Sequence, residues 1–460
     1  MADIESIIKS LESLDIPASN VPYAIREDSK QDSEQRATTK NAFIDSPRTA
    51  WPEIKYPNLR FTDLENQLRQ LLDLMRQLNQ TDATDEEKTY IFEALEAKLQ
   101  ETQRQLVIVQ MIGAKAINPD ASVERIRDNA GVRSFERFGE MNEDRFNYYV
   151  AKDRDKAKKV MESPDSTPLE RLVAQEFLDG TNSAGAPPEN FTHYELEKGT
   201  LDLFKSDLVT IYPNLATILS RDIPEKVNRD DSLPYFDETL DAFGLYQDGY
   251  CSRLTEKQTT EENPISKTID VGGKGSAFRG ERINPLSIHE AVHLLRSRNA
   301  LAQESPTKRM PSYTNTAFEE GLCTVFEQIV TGKERTAGQQ YYESIGFQLG
   351  LDRNGQRRNF RETLELLWRR YAIIDGIKKV DDIHAAKAKA YKTVLRTSRG
   401  NAVDARDKSY NDGDQSVKKW LLEIKDLPDQ QRREKIEWVL SGQFDPTDQD
   451  AARLFSTAEE

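Results

Sequence analysis

The stretch "RINPLSIHEAVHLLRSRNA", residues 282–300, contains the pattern around which the rest of the chain is expected to fold. It carries two of the chain's four histidines, His289 and His293, four residues apart, with Glu290 beside the first. In an α-helix, residues four apart lie one turn apart on the same face. The spacing therefore predicts a helix that presents both imidazoles to a single point in space.

The residues around the two histidines also favour a helix. Asn284 can cap a helix N-terminus, and Pro285 suits the first turn, where a missing N–H leaves no intrahelical bond unmade. Apolar side chains recur on a neighbouring face, where they are expected to pack against the core: Ile288, Val292 and Leu295. We therefore expect the helix to begin near residue 284, with one face in the core and one at a site.

Two imidazoles placed in this way are suited to bind zinc. Zinc binds neutral imidazole nitrogens, and a catalytic zinc keeps one position open for water. The pattern H-E-x-x-H is a signature of zinc-dependent peptidases, in which the glutamate takes a proton from that water. The sequence therefore predicts zinc as the cofactor, His289 and His293 as two of its ligands, and Glu290 as the general base.

A third ligand is offered by "NTAFEEGLCTVFEQIV", residues 315–330, which has the pattern of a second helix. A carboxylate in the first turn of a helix that crosses the motif helix would complete a His-His-Glu set. We expect Glu320 to be this ligand, with Glu319 as its neighbour or competitor. Glu327, two turns further on, is placed to hold a ligand histidine. The alternative is an acidic helix start that complements the helix dipole.

The remaining histidines and the cysteine on the second helix have simpler explanations. His193 and His384 are expected to be surface or capping residues, although either could assist an oxyanion. Cys323 is expected to be a buried thiol that fills space. A cysteine nucleophile would need a nearby histidine, and the histidines near Cys323 are assigned to the metal.

Composition and charge restrict the class of protein. The chain has 460 residues, a net charge of −15 and two cysteines, Cys251 and Cys323. The negative charge disfavours nucleic acid and membranes as partners. The cysteine count, the absence of a long apolar run and the lack of a secretory signal favour the cytoplasm. Residues 351–400 are rich in Lys and Arg, which indicates either solvated helix faces or a surface that receives an acidic peptide or tail.

Hydrophobic periodicity predicts a mainly α (α+β) fold. "FTDLENQLRQLLDLMRQLNQ", residues 61–80, has one apolar helix face, and a second helix after a polar break would complete a helical hairpin. "ISKTIDV", residues 265–271, alternates in the manner of an exposed strand. We expect helical lobes around a small antiparallel sheet that lies next to the H-E-x-x-H helix.

The same patterns divide the chain into four segments. Residues 1–60 are expected to form a partly extended N-terminal arm that buries little apolar area. Residues 61–185 would form the hairpin and a helical lobe, and the break after them is "DGTNSAGAPPENF". Residues 186–345 would contain the zinc site, and residues 346–460 would form a C-terminal helical lobe.

Three motifs in this order resemble a known family. They are the H-E…H helix, "EEGLC" at residues 319–323 and, more loosely, "RTSRGNAVDARDKSYNDGDQSVKKWL" at residues 396–421. Together they resemble the gluzincin-type zinc peptidases with a Q/E-E-G-L-A motif, which include the microtubule-associated tyrosine carboxypeptidases and bacterial relatives. That family spaces its histidines as H-E-x-x-x-H and has Ala where this chain has Cys323.

The resemblance covers roughly residues 200–430 and implies a gluzincin-like fold. It also implies a zinc carboxypeptidase that acts at a protein or peptide C-terminus, with His289, His293 and Glu320 as ligands and Glu290 as the base. The substrate itself is left open by the resemblance.

Such an enzyme needs further groups around the metal. An oxyanion requires a donor, for which Tyr313 and Tyr410 are the candidates. A terminal carboxylate requires a cation, and the candidates are Arg396, Arg399, Lys274 and Arg279. Residues 265–271 could pair with the substrate backbone as an added strand.

Two other functions fit the sequence. A helical scaffold or interaction protein with a degenerate, metal-free site would also show the hairpin and the charged helix faces. An endopeptidase of another gluzincin lineage would share the zinc site and differ in the bond that it cleaves. The oligomeric state is left open.

Overall fold

Helices account for most of the chain in a computed structural model of the protein, and short strands for a small part. The structure describes residues 4–13, 30–52, 61–117, 124–186, 188–255, 260–273, 277–309, 316–399 and 402–455. The predicted mainly helical fold with a small sheet is therefore confirmed. Within these residues, every helix is too short or too polar to cross a bilayer.

The helices of the N-terminal part are, in chain order, α1 (Ile4–Ser13), α2 (Lys30–Asp45), α3 (Phe61–Leu78), α4 (Asp85–Ile117), α5 (Glu124–Phe138), α6 (Glu143–Glu162) and α7 (Pro168–Gly180). The predicted hairpin is confirmed as α3 and α4, which pack against each other through buried Leu71, Leu78, Ile91 and Leu95. Helix α1 adds Ile7 to the same core.

Helix α2 corrects the expectation of a partly extended arm. Residues 30–45, which have no hydrophobic periodicity, are helical, and the last turn buries Phe43 and Ile44 in a core formed with α6 and with residues 360–394. The guanidinium of Arg361 lies 3.9 Å from the centre of the Phe43 ring and donates to the carbonyl of Ser46. Two apolar residues and one arginine partner therefore dock a segment whose average composition is polar.

The middle of the chain contains all the described strands. Its helices are α8 (Lys198–Ile211), α9 (Leu215–Ser220), α10 (Leu233–Ala242), α11 (Gly280–Leu301), α12 (Pro306–Arg309) and α13 (Thr316–Thr331). Its strands are β1 (Lys226–Asn228), β2 (Cys251–Leu254), β3 (Glu261–Asn263), β4 (Thr268–Val271) and β5 (Ala277–Arg279). Strands β1 and β5 pair antiparallel, while the other sheet has the order β2-β4-β3. Because β2 runs parallel to β4, this sheet is mixed and the expected antiparallel sheet is wrong in that respect.

Strand β4 is buried and central, whereas residues 265–271 were expected to form an exposed strand. The polar side chains that suggested exposure are satisfied inside the fold. The Thr268 hydroxyl donates to Asp270 over 2.8 Å, and the Arg253 guanidinium donates to the same carboxylate over 2.6 Å. The polar residues of this strand reflect an ion pair in which the Asp270 carboxylate is buried and the Arg253 side chain is half-exposed, because charge compensation lets a carboxylate leave the solvent.

The C-terminal part is helical, as expected, with α14 (Gln339–Leu349), α15 (Phe360–Asp375), α16 (Val380–Thr397), α17 (Ser409–Ile424), α18 (Asp429–Leu440) and α19 (Gln449–Phe455). A 3-10 turn, Arg406–Lys408, leads into α17. The largest core joins α8, α10, α11, α13, α17 and α18. The motif helix α11 is therefore held in the centre of the protein.

Helices α13 and α17 approach each other closely through two glycines. A Cβ on Gly321 would lie 2.2 Å from the carbonyl carbon of Gly413, and a Cβ on Gly413 would lie 1.7 Å from the carbonyl oxygen of Ala317. No real side chain tolerates such distances. The glycine of the "EEGLC" motif thus permits contact with α17, a helix that begins 88 residues further along the chain.

The basic block at residues 351–400 is largely neutralised within the fold. Its arginines form ion pairs with carboxylates of the same chain, namely Arg358 with Asp352, Arg361 with Glu365, Arg369 with Glu176, Arg370 with Asp153 and Glu343, and Arg396 with Asp407. These pairs favour a structural role for the block over an open surface for an acidic peptide.

Candidate metal centre

Helix α11 places the two motif histidines as the spacing predicts, but it begins earlier than expected. It starts at Gly280, so Pro285 lies inside the helix and Asn284 is not its cap. The Asn284 side chain instead accepts from Arg221 over 2.7 Å and donates to the carbonyl of Ile218 over 3.0 Å. The predicted apolar face, from Ile288 to Leu295, is buried in the central core.

Helix α13 brings Glu320 to the two imidazoles. The Glu320 Oε2 atom lies 3.6 Å from Nε2 of His289 and 3.9 Å from Nε2 of His293. One ligand atom from each of the three residues lies within 4.8 Å of the other two. Tetrahedral zinc with bonds of about 2.0–2.1 Å places its ligand atoms about 3.3 Å apart. The three side chains therefore fit zinc after a small contraction.

The opposite nitrogen of each imidazole is held by a carboxylate. Nδ1 of His289 lies 2.8 Å from Oε1 of Glu327, and Nδ1 of His293 lies 3.0 Å from Oε1 of Glu319. An ionised carboxylate accepts the Nδ1 hydrogen and leaves the lone pair of a neutral imidazole on Nε2. Both histidines are thus oriented with their metal-binding nitrogens toward Glu320.

Each of these carboxylates is itself held by an arginine. Arg296 of α11 pairs with Glu319 and also donates to the carbonyls of Val439 and Gly442. On the other side, Arg335 donates to Glu327 over 2.6 Å. Burial alone would raise the pKa of both glutamates, but the neighbouring arginines and histidines hold those pKa values below the usual range.

The centre attracts positive charge. Burial alone would lower the pKa of His289, but hydrogen bonds to Glu320 and Glu327 raise it well above its usual value. Burial would raise the pKa of Glu320, but its contacts with His289 and His293 lower it to about 2. A divalent cation suits this environment because it can neutralise the ionised carboxylate that the two protonated imidazoles otherwise stabilise.

Glu290 is buried beside the two motif histidines. Glu262 of strand β3 is a neighbouring carboxylate whose charge acts on it. Burial raises the pKa of Glu290 well above its usual value; His289 opposes this rise and Glu262 adds to it. A raised pKa is the property expected of a carboxyl group that exchanges protons near neutral pH.

Tyr410 also lies at the centre. The negative charge of Glu320 and then burial raise the pKa of Tyr410, so its hydroxyl remains a hydrogen-bond donor. The Arg396 guanidinium lies 5.8 Å from the centre of its ring and binds the Tyr341 hydroxyl over 2.8 Å. The other oxyanion candidate, Tyr313, lies outside the described residues.

Two of the cations expected to bind a terminal carboxylate are already paired. Arg396 forms two parallel hydrogen bonds with Asp407, of 2.8 and 2.9 Å. Arg399 lies 3.2 Å from Asp404 through its Nε atom. Both side chains therefore contribute to the fold, and at most the remaining N–H groups of Arg399 are open to a ligand.

A third predicted cation, Arg279, lies away from the metal centre. Arg279 is exposed at the start of α11 and lines a cavity of 1210 Å³ formed with the first turns of that helix and with β1 and β5. Lys274 lies outside the described residues. Residues 265–271 were also predicted to pair with the substrate backbone, but β4 already has a partner strand on each side.

Sequence reasoning missed three residues that border the centre. Glu262 belongs to strand β3, which contacts α11 only in the folded chain, and Arg296 lies on α11 itself, three residues after His293. Arg406 precedes Tyr410 by four residues, and its positive charge lowers the pKa of Glu320. The sequence offered one signal for Arg406, because this residue lies in the segment 396–421 that also contains the candidates Arg396 and Arg399.

His384 and Cys323 lie where the sequence predicts, whereas the expectation of a surface or capping role for His193 is wrong. His384 is exposed on α16. His193 is buried against Tyr148, and its Nε2 lies 3.3 Å from the Thr336 hydroxyl. Cys323 is buried beside His293, and burial raises its pKa, so it is a thiol at neutral pH. His293, Glu319 and Cys323 form a second compact group, but Glu319 is already held by Arg296.

Comparison of the chain with protein-family models, with curated proteins and with solved structures gave no match. What the protein does therefore has to be inferred from the side chains of the metal centre and its surroundings.

Proposed function

We propose that the protein is a zinc-dependent peptidase of the gluzincin type, with His289, His293 and Glu320 as ligands. The observation that carries this proposal is the convergence of two Nε2 atoms and one carboxylate oxygen within 4.8 Å, on two crossing helices. Both Nδ1 atoms are held by carboxylates in support of that geometry. A metal-free scaffold would have no need for imidazoles oriented in this way.

Zinc at this position would lower the pKa of a water molecule to about 7 and polarise the carbonyl to be cleaved. Glu290 takes a proton from the attacking water and delivers it to the nitrogen of the leaving amine. The C–N bond breaks, and one carboxylate and one amine are formed. Tyr410, which stays protonated beside Glu320, donates a hydrogen bond to the oxyanion that develops on the carbonyl.

A peptide is the proposed substrate because an edge strand runs beside the base. Among the described residues, β3 pairs on one side only, with β4, and it packs against α11. Its free edge can bind an extended peptide through backbone hydrogen bonds. Residues 261–263 thus take the role that was first expected for residues 265–271.

We further propose that cleavage occurs at a protein or peptide C-terminus, in a reducing, cytoplasmic compartment. The free thiols of Cys251 and Cys323 agree with such a compartment. The chemical support for cleavage at a C-terminus is a group of arginine side chains next to the metal centre.

Metal analysis tests the proposal directly. We expect about one zinc per chain in protein purified without chelator, as a single catalytic site requires. His289→Ala should lose this zinc, whereas His384→Ala, a matched change at an exposed histidine outside the centre, should retain it. Internally quenched peptides should be cleaved by the wild-type protein and by His384→Ala only. Absence of zinc from the wild-type protein would reject the proposal.

A further inference from the structure

Five arginines gather beside the metal centre and are here called the arginine cluster. They come from α4, α5, α16 and the segment before α17: Arg104, Arg137, Arg396, Arg399 and Arg406. Among the described residues, three carboxylates hold them together, Glu101, Asp404 and Asp407. Even without Arg137, four guanidinium groups accompany these three carboxylates, and the cluster has capacity for an anion.

The contacts inside the cluster are unequal. Arg104 is fully buried and binds Glu101 and Asp404, and Arg396 forms a two-bond fork with Asp407. Arg406 is only partly buried and, in the described part of the chain, its guanidinium forms no ion pair. The Nη1 atom of Arg399 is buried and makes no hydrogen bond. A buried donor without an acceptor is costly, so this atom points to a ligand.

The cluster adjoins the zinc ligands directly. Nη2 of Arg137 lies 3.5 Å from the hydroxyl of Thr316, the first residue of α13 and one turn before Glu320. Arg406 belongs to the 3-10 turn that leads into α17, and Gly413 of α17 packs against Ala317 and Gly321, which lie on either side of Glu319 and Glu320. An anion bound by Arg406 would therefore lie beside the metal centre.

The backbone that carries Arg406 is firmly held. Its N–H donates to Asp404 over 3.1 Å, and its carbonyl accepts from the Ser409 hydroxyl over 2.6 Å. Asp404 is in turn fixed by Arg104 and by the Ser134 hydroxyl. The arginine side chain thus extends from a rigid base, as a recognition residue should.

We propose that the arginine cluster binds the free C-terminal carboxylate of the substrate, with Arg406 and Nη1 of Arg399 as donors. This inference rests on the proposed peptidase function and assigns its specificity to Arg406. Two parallel N–H groups of a guanidinium match the two oxygens of a carboxylate. A short distance between cluster and metal means that only one or a few residues fit between the cleaved bond and the terminus.

Binding to a catalytically inactive protein tests the assignment. The probes are two pools of fluorescein-labelled hexapeptides of random sequence, one with a free C-terminal carboxylate and one with a carboxamide. We expect the zinc-loaded Glu290→Gln protein to bind the free-acid pool roughly ten- to a hundredfold more tightly, as charge-assisted hydrogen bonds allow. Equal affinity for the two pools would overturn the proposal, and this test requires no substitution in the arginine cluster.

A second substitution locates the effect. Arg406→Gln in the same protein should remove most of the preference and leave binding of the carboxamide pool unchanged. Arg125→Gln, which makes the same change of charge at an exposed position of α5, should retain the preference. An equal loss for both pools in Arg406→Gln would mean general charge attraction and would reject the assignment. If Arg406→Gln does not fold, Arg406→Lys, which keeps the charge and loses the fork, should show a smaller preference.

A third pool distinguishes the terminal carboxylate from a side-chain carboxylate. It ends in a glutamate whose α-carboxyl group is a carboxamide. If this pool binds as tightly as the free-acid pool, the arginine cluster recognises acidic side chains, and the present proposal is overturned. If zinc-dependent cleavage is equally fast for free-acid and carboxamide peptides, the peptidase function stands and the role of the arginine cluster is rejected. If the protein contains no zinc, the peptidase function itself is rejected.

Discussion

Substitution of Gly321 by alanine should separate the two helices on which the centre depends. Gly321 is the glycine of the "EEGLC" motif, next to the ligand Glu320, and it faces Gly413 of α17 across the closest helix contact described above. Neither glycine has a positive φ. An alanine at residue 321 is therefore compatible with the backbone conformation of α13, and the effect will be steric.

The size of the effect follows from the distances. The new Cβ would lie 2.2 Å from the carbonyl carbon and 2.4 Å from the carbonyl oxygen of Gly413. Carbon atoms in contact prefer a separation of about 3.5 Å, so the helices must part by about 1 Å. Overpacking typically costs about 1–3 kcal/mol. We expect a value near 3 kcal/mol, because the obstacle is the backbone of α17 and cannot rotate away.

Urea denaturation followed by circular dichroism measures this loss. Zinc should be removed by a chelator in all samples, since a bound ligand raises the apparent stability. The matched control is Gly131→Ala in the interior of α5, where a Cβ meets no atom within 4 Å. It should be as stable as the wild type or up to about 1 kcal/mol more stable, because alanine favours helices over glycine.

The functional consequence should exceed the loss of stability. Parting of α13 and α17 changes the distance between Glu320, on one helix, and Tyr410, on the other. The hydrolysis rate of Gly321→Ala, relative to the wild type, should therefore be well below the fraction of the variant that is folded in the same buffer. A Gly321→Ala protein as stable and as active as Gly131→Ala would refute the close helix crossing and its link to the centre.

Other changes separate the roles of neighbouring groups. Glu290→Gln should keep zinc and lose hydrolysis, because an amide accepts no proton, and appreciable turnover would reject Glu290 as the base. Glu320→Ala should lose zinc at near-normal stability, whereas Glu319→Ala should be destabilised by about 3–5 kcal/mol, since it leaves the buried Arg296 without its carboxylate; equal zinc losses would indicate a shared ligand role. Deletion of residues 1–60 should lower the urea midpoint because α2 is docked in a core, and an unchanged midpoint would make this segment dispensable.

The parts of the centre that follow helical periodicity could be predicted from the sequence. The spacing of His289 and His293, the position of Glu320 one turn into α13 and that of Glu327 two turns later all depend on 3.6 residues per turn. These relations hold wherever the helix is placed in the fold. For this reason the sequence predicted that His289, His293 and Glu320 would converge and that Glu327 would lie beside a motif histidine.

The parts that depend on long-range pairing were missed or misplaced. Arg104 binds Asp404 across 300 residues of sequence, and no local pattern indicates which arginine will be left over for a ligand. Strand β2 pairs parallel to β4, although both are short and lie close together in the chain. The polar residues of β4 suggested exposure, because the sequence does not show that Arg253 compensates Asp270.

Glu319 and Glu327 both hold a histidine through Nδ1, but their own arginine partners differ in rigidity. Each lies between an imidazole and an arginine, and the arginine keeps the carboxylate ionised so that it accepts the Nδ1 hydrogen. Arg296 is fully buried and bound to backbone carbonyls, while 46% of the Arg335 side chain is exposed. The His293 side of the centre is thus fixed by the core, and the His289 side can adjust. The proposed zinc ligands, which would contract by a few tenths of an ångström around the metal, therefore include one anchored imidazole and one that can move toward it.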